Sequence, residues 1–173
     1  MNSSVSNNLN QEKLILKSKN IRKKILQMAM EAGSSSAHIG GALSIVDILS
    51  ILFFHVMTID KNDPLSDKRD RFILSKGHAC LAYYASLSEL GYISDEELKT
   101  FEKNDTNLPG HPVINKKLGI EFSTGSLGMG LSLGIGVALS AIKKKAYITC
   151  SLYLVMANVM RDQFGKLQWL PQI

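Results

Sequence analysis

A glycine-dense stretch, Thr124-Gly125-Ser126-Leu127-Gly128-Met129-Gly130, limits how this sequence can fold, because so many small residues indicate close contact with other backbone or with a ligand. Upstream lie three histidines, each beside glycine or another small residue. They are His38 in AHIGG, His78 in SKGHA and His111 in GHP. Histidine titrates closest to neutral pH, and loops are where catalytic residues concentrate. One such histidine is more often structural, but three indicate an active site with acid–base chemistry on a small molecule.

The composition favours one globular domain in a reducing compartment. The chain has 173 residues, of which 45% are hydrophobic, and its mean hydropathy of +0.05 argues against wholesale disorder. Two cysteines, Cys80 and Cys150, exclude a disulfide framework and leave no pair at zinc spacing. The first ten residues are polar and do not resemble a signal sequence. We therefore expect a cytoplasmic protein.

Neither a membrane nor a nucleic acid is an expected partner. The best membrane candidate, residues 39–57, contains Asp47 and His55, so it is predicted to be a buried helix. The net charge of +5 is concentrated on the first helix and at residues 143–145, where lysines most simply form a solvated face. A small nucleic-acid binder would interleave aromatic residues with these charges, and the first helix has none.

Hydrophobic periodicity and turn signals predict a helix-rich chain with short strands. A loose polar tail at residues 1–10 precedes apolar residues that recur at helical spacing up to Gly33. Ser44 and Ser94 each precede an acidic residue by three positions, a capping-box pattern that predicts a helix start. Further predicted elements are a strand at 71–75, helices at 45–57, 78–90, 94–101 and 127–141, and a strand at 146–155. His78 then falls at a strand-to-helix junction, where α/β proteins place ligands.

Some of these residues allow two interpretations. Gly128 and Gly130 lack the third glycine and the acidic residue of a dinucleotide site, so such a site is not expected. The same helix start could bind an anion or a polar heterocycle through free amides. It could equally be a packing motif in which Gly130, Gly134 and Gly136 meet another backbone. Arg71 and Lys76 could bind phosphate or simply flank a strand, and His55 is assigned no function.

Four strings, taken in order, resemble the N-terminal section of transketolase, in the form in which that enzyme is split into two chains. They are HIGGALSIVDILSILFF, RDRFILSKGHACLAYYA, LPGHP and STGSLGMGLSLGIGVALS, within a resemblance that runs from about Ile25 to Ala141. The resemblance implies an α/β protein with part of the thiamine diphosphate-binding fold, a parallel sheet flanked by helices, helix-rich in the part present. A related thiamine diphosphate synthase is the alternative within this class, but RDRFILSKGHA is closer to transketolase.

The resemblance also implies a function and roles for the site residues. The function is transfer of a two-carbon ketol unit from a ketose phosphate to an aldose phosphate, with thiamine diphosphate and Mg²⁺ as cofactors. His38 and His111 would polarise the substrate oxygen and move protons, while His78 would lie beside the cofactor's diphosphate and reacting carbon. Backbone groups for the aminopyrimidine ring would come from Gly125, Ser126 and Leu127.

The same resemblance implies partners. In the family the glutamate that activates the cofactor lies on the other half of the enzyme, so this chain would need a C-terminal transketolase subunit or section. We therefore expect a homo- or hetero-oligomer that acts on sugar phosphates, although the sequence does not name the sugars.

The metal motif of the family is missing from this chain. Transketolases carry Gly-Asp-Gly after the glycine-rich helix and an asparagine further on, which supply the oxygen ligands that Mg²⁺ requires. Here residues 154–160 read Leu-Val-Met-Ala-Asn-Val-Met. No metal ligand is therefore assigned to this chain.

The genetic code suggests a reason for this mismatch. Met156 is encoded by ATG and the codon of Ala157 begins with GC, so a frame set back by one nucleotide reads GGC, which is glycine. Continued with permitted codons from Leu154 to Gln172, the displaced frame yields GDGECNEGSVWEAAMAAS, the missing family segment. We hypothesise a one-nucleotide frameshift between about Ile142 and Tyr153, close to the adenine-rich codons of Lys143 to Lys145.

These expectations divide the chain into a polar tail at 1–10, the N-terminal part of a thiamine diphosphate-binding domain at 11–142, and an out-of-frame, truncated tail at 143–173. Without the metal motif the chain as written is expected to be inactive. The apolar faces at 45–54 and 127–139 should lack part of their cover. The alternative is a non-catalytic fragment that binds the partner or the full-length protein through the apolar surface beside Asp47, without binding the cofactor.

Overall fold

A long helix, α1 (Asn2–Ala32), begins the fold in the computed structural model, which describes residues 2–33, 37–60, 62–67 and 69–143, with side chains from residue 10 onward. Ile21, Ile25 and Met28 are buried because their spacing places them on one face. The helix ends at Gly33, whose φ of +63° is a conformation that glycine adopts readily. The predicted helix up to Gly33 is confirmed, but residues 2–10 are helical where the sequence predicts a loose tail.

The predicted single helix at 45–57 is divided. Its span forms a helix at Val46–Ile51 and a π-helical turn (Leu52–Val56), and a separate short helix precedes it, so the elements in chain order are α2 (Ile39–Leu43), α3 (Val46–Ile51) and the π-helical turn. The capping box predicted at Ser44 is wrong, since α3 has no side-chain cap and its N-cap residue is Ile45. The Ser44 hydroxyl instead donates to the Gly41 carbonyl oxygen at 2.8 Å, because Ser44 ends α2 and its side chain bonds back to the preceding turn.

The core is centred on α4 (Cys80–Leu90), which follows a 3₁₀ turn (Gly77–Ala79) and ends, as predicted, at Gly91 with φ of +95°. Almost every residue of α4 is buried. Its Tyr83 ring lies 5.0 Å from the Phe72 ring, and the Tyr83 hydroxyl donates to the Gly119 carbonyl oxygen at 2.8 Å. Lys17 on α1 pairs with Glu89 at 2.8 Å. This central helix therefore fixes the position of the turn that carries His78.

The second predicted capping box is confirmed. The Glu97 amide donates to the Ser94 hydroxyl at 3.1 Å and opens a short helix, α5 (Asp95–Leu98). Irregular chain and a 3₁₀ turn (Lys116–Leu118) lead to α6 (Met129–Lys143), which confirms the helix predicted at 127–141. Gly130 and Gly134 are buried, whereas Gly136 is exposed and has open space beside it. Close packing is thus limited to two of the three glycines.

The predicted parallel sheet is not formed by the described residues, whose regular elements are helices. Residues 71–75, predicted as a strand, are mostly buried and have one bridge residue, Ile73, in otherwise irregular chain, and the Asn115–Ile120 pair forms an isolated antiparallel bridge. A strand needs a hydrogen-bonded neighbour, and the second predicted strand, at 146–155, lies outside the described residues. Arg69 and Glu121, both buried, form an ion pair that joins the 71–75 region to the chain before α6.

Apolar side chains lie on the surface of the two helical regions where the sequence predicts incomplete cover. Ile48 and Ile51 are about half exposed, and the larger group near α6 consists of Leu127, Met129, Ile135, Leu139 and Ile142. His55 is also exposed. Among the described helices, none is both long and apolar enough to cross a bilayer.

Candidate active site

The three histidines selected from the sequence converge. His38 precedes α2, His78 lies in the 3₁₀ turn before α4, and His111 lies in the irregular chain after α5. The centroid of the His78 ring is 4.9 Å from that of His38 and 4.5 Å from that of His111, and the other two rings are 6.2 Å apart. The three rings meet edge to face. His38 is exposed and the other two are half-buried, so the cluster lies at the surface end of the core.

Gly77 positions His78 against the glycine-dense stretch. A β-carbon on Gly77 would lie 2.7 Å from the Thr124 carbonyl oxygen and 2.8 Å from the Gly125 nitrogen, both backbone atoms. Only glycine fits such a contact without moving the backbone. On the same side, the Gly130 amide donates to the Ser75 hydroxyl at 3.3 Å. The SKGHA motif and the STGSLGMG motif therefore pack together as one surface.

His111 is joined to the same surface. The Thr124 amide donates to the Pro112 carbonyl oxygen at 3.0 Å. A β-carbon on Gly125 would meet the His111 ring at 3.4 Å, an ordinary contact. The Cys80 thiol, on α4, donates to the Gly110 carbonyl oxygen at 3.0 Å and holds the residue before His111. The GHP loop is thereby fixed both to α4 and to the glycine-dense stretch.

Lys76, in the SKGHA motif, contacts residues of the segment that follows His38, whereas Arg71 pairs with carboxylates outside the histidine cluster. The Lys76 ammonium donates to the Ser44 hydroxyl at 3.3 Å, and its Cε would lie 3.3 Å from a β-carbon on Gly41. Arg71 contacts Glu121 and Asp67, each at 3.4 Å. Of the two phosphate-binding candidates, Arg71 is therefore occupied by carboxylates, which favours its structural interpretation. Lys76 is the cation that lies among the histidine motifs.

The electrostatics of the cluster favour the neutral form of His78. Partial removal from water lowers the pKa of His78 below its ordinary value, and Coulombic interactions with His111, His38 and Lys76 act in the same direction. A neutral imidazole has one nitrogen that accepts a proton and one that donates. His78 can thus act as an acceptor at pH values where an isolated histidine would be partly protonated.

Thr124 is a residue that the sequence analysis did not select. Its hydroxyl oxygen is buried and, alone among the buried side-chain oxygen and nitrogen atoms of the described residues, makes no hydrogen bond. A buried polar group without a partner costs free energy, so its presence beside the histidine cluster suggests a ligand contact. The one available signal was its position directly before Gly125 in the motif.

The predicted cofactor contacts lie next to Thr124. Gly125 is half-buried, and Ser126 and Leu127 are exposed, at the start of the segment that leads into α6. Exposed backbone, an unpaired buried hydroxyl and neutral imidazole suit a polar heterocycle such as an aminopyrimidine, so this surface fits the organic part of thiamine diphosphate. It does not fit Mg²⁺, because the group of possible metal ligands found in the described residues consists of three imidazoles and no carboxylate.

Comparison with known proteins identifies the class to which this fold and site belong. Residues 17–151 match the family model of the transketolase thiamine diphosphate-binding domain. The chain therefore belongs to the transketolase family.

Curated relatives in this family include separate subunits. Over 146 residues the chain is 42% identical to one subunit of the apulose-4-phosphate transketolase of Actinobacillus succinogenes, covering 82% of this chain and 52% of that protein. It is 38% identical over 126 residues to the 6-deoxy-6-sulfo-D-fructose transketolase subunit SqwG of Clostridium sp., covering 73% and 45%. The chain thus spans about half the length of these relatives.

Solved transketolases share the architecture. The Campylobacter jejuni enzyme matches with a TM-score of 0.67 and 32% identity, covering 82% of this chain and 23% of that one. The Leishmania mexicana enzyme matches with a TM-score of 0.69 and 26% identity, covering 82% and 22%. These neighbours support the predicted α/β thiamine diphosphate-binding fold, although the described residues supply only its helical part.

Proposed function

We propose that this chain is the N-terminal section of a transketolase that transfers a two-carbon ketol unit from a ketose phosphate to an aldose phosphate. The observation that carries the proposal is the convergence of His38, His78 and His111 on the Thr124–Gly125 backbone, within the part of the chain that matches the family. Relatives that are named as individual transketolase subunits support a division of the enzyme between two chains.

Each histidine has a role that its position allows. Bound thiamine diphosphate supplies the carbanion chemistry that breaks and forms the carbon–carbon bonds. His38 and His111, on opposite sides of the cluster, would donate hydrogen bonds to the substrate oxygen and move protons to and from it. His78, whose lowered pKa favours the neutral form, would lie beside the cofactor's diphosphate and reacting carbon. The backbone of Gly125, Ser126 and Leu127 would orient the aminopyrimidine ring.

The partner and substrates follow from the same proposal. A C-terminal transketolase section would complete the site, since the activating glutamate of the family is expected there. Sugar phosphates are the proposed substrates, and the name of the Actinobacillus relative refers to a sugar 4-phosphate. Lys76 lies beside His78 and could attract such an anion toward the cluster. The cytoplasm is the proposed location.

As written, the chain is proposed to be inactive. Mg²⁺ would require carboxylate or amide oxygens as ligands, and residues 154–160, which replace Gly-Asp-Gly, contain one asparagine and no carboxylate. The family match ends at residue 151, before this segment and inside the interval proposed for the frameshift. Loss of the metal ligands would prevent retention of the diphosphate.

The second candidate function is a non-catalytic fragment that binds the partner or the full-length protein. Exposed Ile48 and Ile51 beside Asp47 favour it, because a contiguous apolar surface is typical of an interaction site. Asp47 itself is paired with Arg22 at 2.7 Å, so the charge at the edge of this surface is already neutralised.

Restoring one nucleotide tests the proposal. The chain as written and the chain with the frame restored would each be co-expressed with a C-terminal transketolase section, and thiamine diphosphate binding and ketol transfer would be measured with Mg²⁺. We expect both activities in the restored chain and neither in the chain as written. Replacing His38 or His111 by alanine in the restored chain should reduce kcat by about 10²–10⁴-fold, the usual contribution of acid–base catalysis.

His55→Ala is the matched control, because His55 is exposed and lies outside the cluster. Its activity should equal that of the restored parent. Equal losses in the His55 and His38 variants would contradict the roles assigned here. Cofactor-independent binding of the chain as written to the C-terminal section, with no activity in the restored chain, would instead establish the non-catalytic fragment.

A further inference from the structure

The geometry of the histidine cluster would also allow it to bind a metal ion. One ligand nitrogen from each of His38, His78 and His111 can be chosen so that all three lie within 4.8 Å of one another. A tetrahedral zinc ion with Zn–N bonds of about 2.0–2.1 Å holds its nitrogen ligands about 3.3 Å apart. The widest gap therefore closes when two rings each move by less than about 1 Å, a change within the reach of side-chain rotation.

The imidazoles are also free to ligate. Among the described residues, no hydrogen bond to a nitrogen of these three rings is formed, so ligation would break no existing bond within that part of the protein. His38 lies at the exposed side, which leaves an entry path and a fourth position open to water.

We propose that His38, His78 and His111 form a binding site for one borderline divalent transition-metal ion, with zinc as the reference ion. Three imidazoles and no carboxylate select against hard ions, so Mg²⁺ should not compete. The site is distinct from the cofactor's metal site, which needs oxygen ligands. The ion would occupy the lone pairs that the proposed reaction uses, so zinc would inhibit that reaction; only this last consequence depends on the proposed function.

The test uses the full chain alone, without thiamine diphosphate, sugars or a partner, so its result is independent of the proposed reaction. Calorimetric titration with Zn²⁺ should give one ion per chain, and Co²⁺ should develop the visible absorption of tetrahedral cobalt. Mg²⁺ alone should give no binding signal. His38→Ala and His111→Ala should weaken Zn²⁺ binding by at least about 10–100-fold, the loss typical of changing even an outer partner of a metal ligand.

Two further variants keep the test decisive. His55→Ala removes the fourth histidine and should leave Zn²⁺ affinity unchanged. His111→Cys keeps a zinc-binding atom and should restore much of the affinity that His111→Ala loses, with circular dichroism confirming that both variants fold. His38→Ala is the variant least expected to disturb folding, since His38 is exposed and outside a helix. Absence of stoichiometric Zn²⁺ binding by the parent chain, or equal losses in the His55 and His38 variants, would overturn the inference.

Discussion

Gly77 packs so closely against another part of the backbone that a β-carbon would not fit. This close packing explains how the SKGHA and STGSLGMG motifs, which are far apart in the sequence, form one surface. The atoms that a side chain would meet belong to the Thr124–Gly125 backbone and cannot rotate away. Gly40, by contrast, lies in α2 with no atom within 4 Å of the corresponding point. The two glycines therefore differ in how closely other atoms surround them, although each lies within two residues of a site histidine.

Alanine should have opposite effects at these two positions. We expect Gly77→Ala to lower the free energy of unfolding by about 1–3 kcal/mol, because it overpacks a contact between backbones. Gly40→Ala should leave it unchanged or raise it by up to about 1 kcal/mol, since alanine favours a helix. Urea unfolding followed by circular dichroism measures both. If the two variants had indistinguishable unfolding midpoints, Gly77 would not be in close contact with the Thr124–Gly125 backbone.

His78 should titrate below the ordinary histidine range. Because its folded pKa is lowered, the folded protein binds fewer protons than the unfolded chain at acidic pH, so this contribution to stability is complete above about pH 6.5 and declines as the pH falls below it. His111→Ala should raise the pKa of His78, because it exposes the His78 ring to more water and removes the Coulombic interaction with His111. NMR titration of the His78 ring measures the midpoint, and His55→Ala should leave it unchanged. An unmoved midpoint in the His111 variant would contradict the coupling.

The three histidines could be identified from sequence because each lies beside glycine or another small residue, a pattern that is visible without knowledge of the fold. Thr124 gave no comparable signal. Its unpaired hydroxyl is a property of the three-dimensional packing, and threonine in a loop is ordinary. Arg71 was ambiguous for a similar reason, because its partner Glu121 lies far along the chain.

At the scale of elements, α1 holds the fold together by packing along α4. Ile21 and Ile25 of α1 are fully buried, whereas Leu26 is 49% exposed. Charged pairs border this contact, with Lys17 and Lys24 both close to Glu89. Burial of the apolar stripe, with the ion pairs at its edge, therefore determines how the first helix docks.

Substitutions at two neighbouring residues of α1 distinguish the contribution of helix docking from that of helix formation. Ile25→Ala should reduce the free energy of unfolding by about 2–5 kcal/mol, because it removes a buried side chain and leaves a cavity. Leu26→Ala keeps similar helix propensity and should change it by less than about 1 kcal/mol, as expected for a largely exposed position. Chemical denaturation of the two variants gives the comparison. If Leu26→Ala lowered the free energy of unfolding as much as Ile25→Ala does, the face of α1 that carries Leu26 would also have to be packed, which would contradict the docking described here.

The two predicted capping boxes show which element boundaries can be obtained from sequence. Ser94 caps α5 as expected because Ser94 itself is extended, the chain before it is not helical, and its hydroxyl accepts from the Glu97 amide in the first turn. Ser44 has the same pattern but follows α2 directly, so its hydroxyl bonds backwards. Local patterns predict a cap only where the preceding chain is not already helical, which the sequence around Ser44 does not reveal. The strand predicted at 71–75 is present only as a bridge at Ile73, and a strand depends on a neighbour that local sequence does not identify.

At the scale of the whole molecule, the chain spans about half the length of its curated relatives and exposes apolar side chains on α3 and α6. The helical part of the fold and the site were predictable because their motifs are local. The predicted parallel sheet is not formed by the described residues. A sheet requires hydrogen bonds between segments that are far apart in the chain, and a local sequence pattern does not determine which segments pair. The segment at residues 154–160, where the metal motif of the family is missing, lies outside the described residues.

The coding DNA decides whether that segment is a displaced reading frame. We expect the frame set back by one nucleotide to read Gly-Asp-Gly-Glu-Cys-Asn-Glu-Gly across the codons from Leu154, and an adenine tract to cover the codons of Lys143 to Lys145. Each displaced codon combines the last nucleotide of one written codon with the first two of the next, so only a few amino acids are permitted at each position. Agreement with a family motif over the whole run is therefore hard to reach by chance. Sequencing the gene and its transcript gives the answer, and absence of Gly-Asp-Gly from both displaced frames would make the written segment native and favour the non-catalytic fragment.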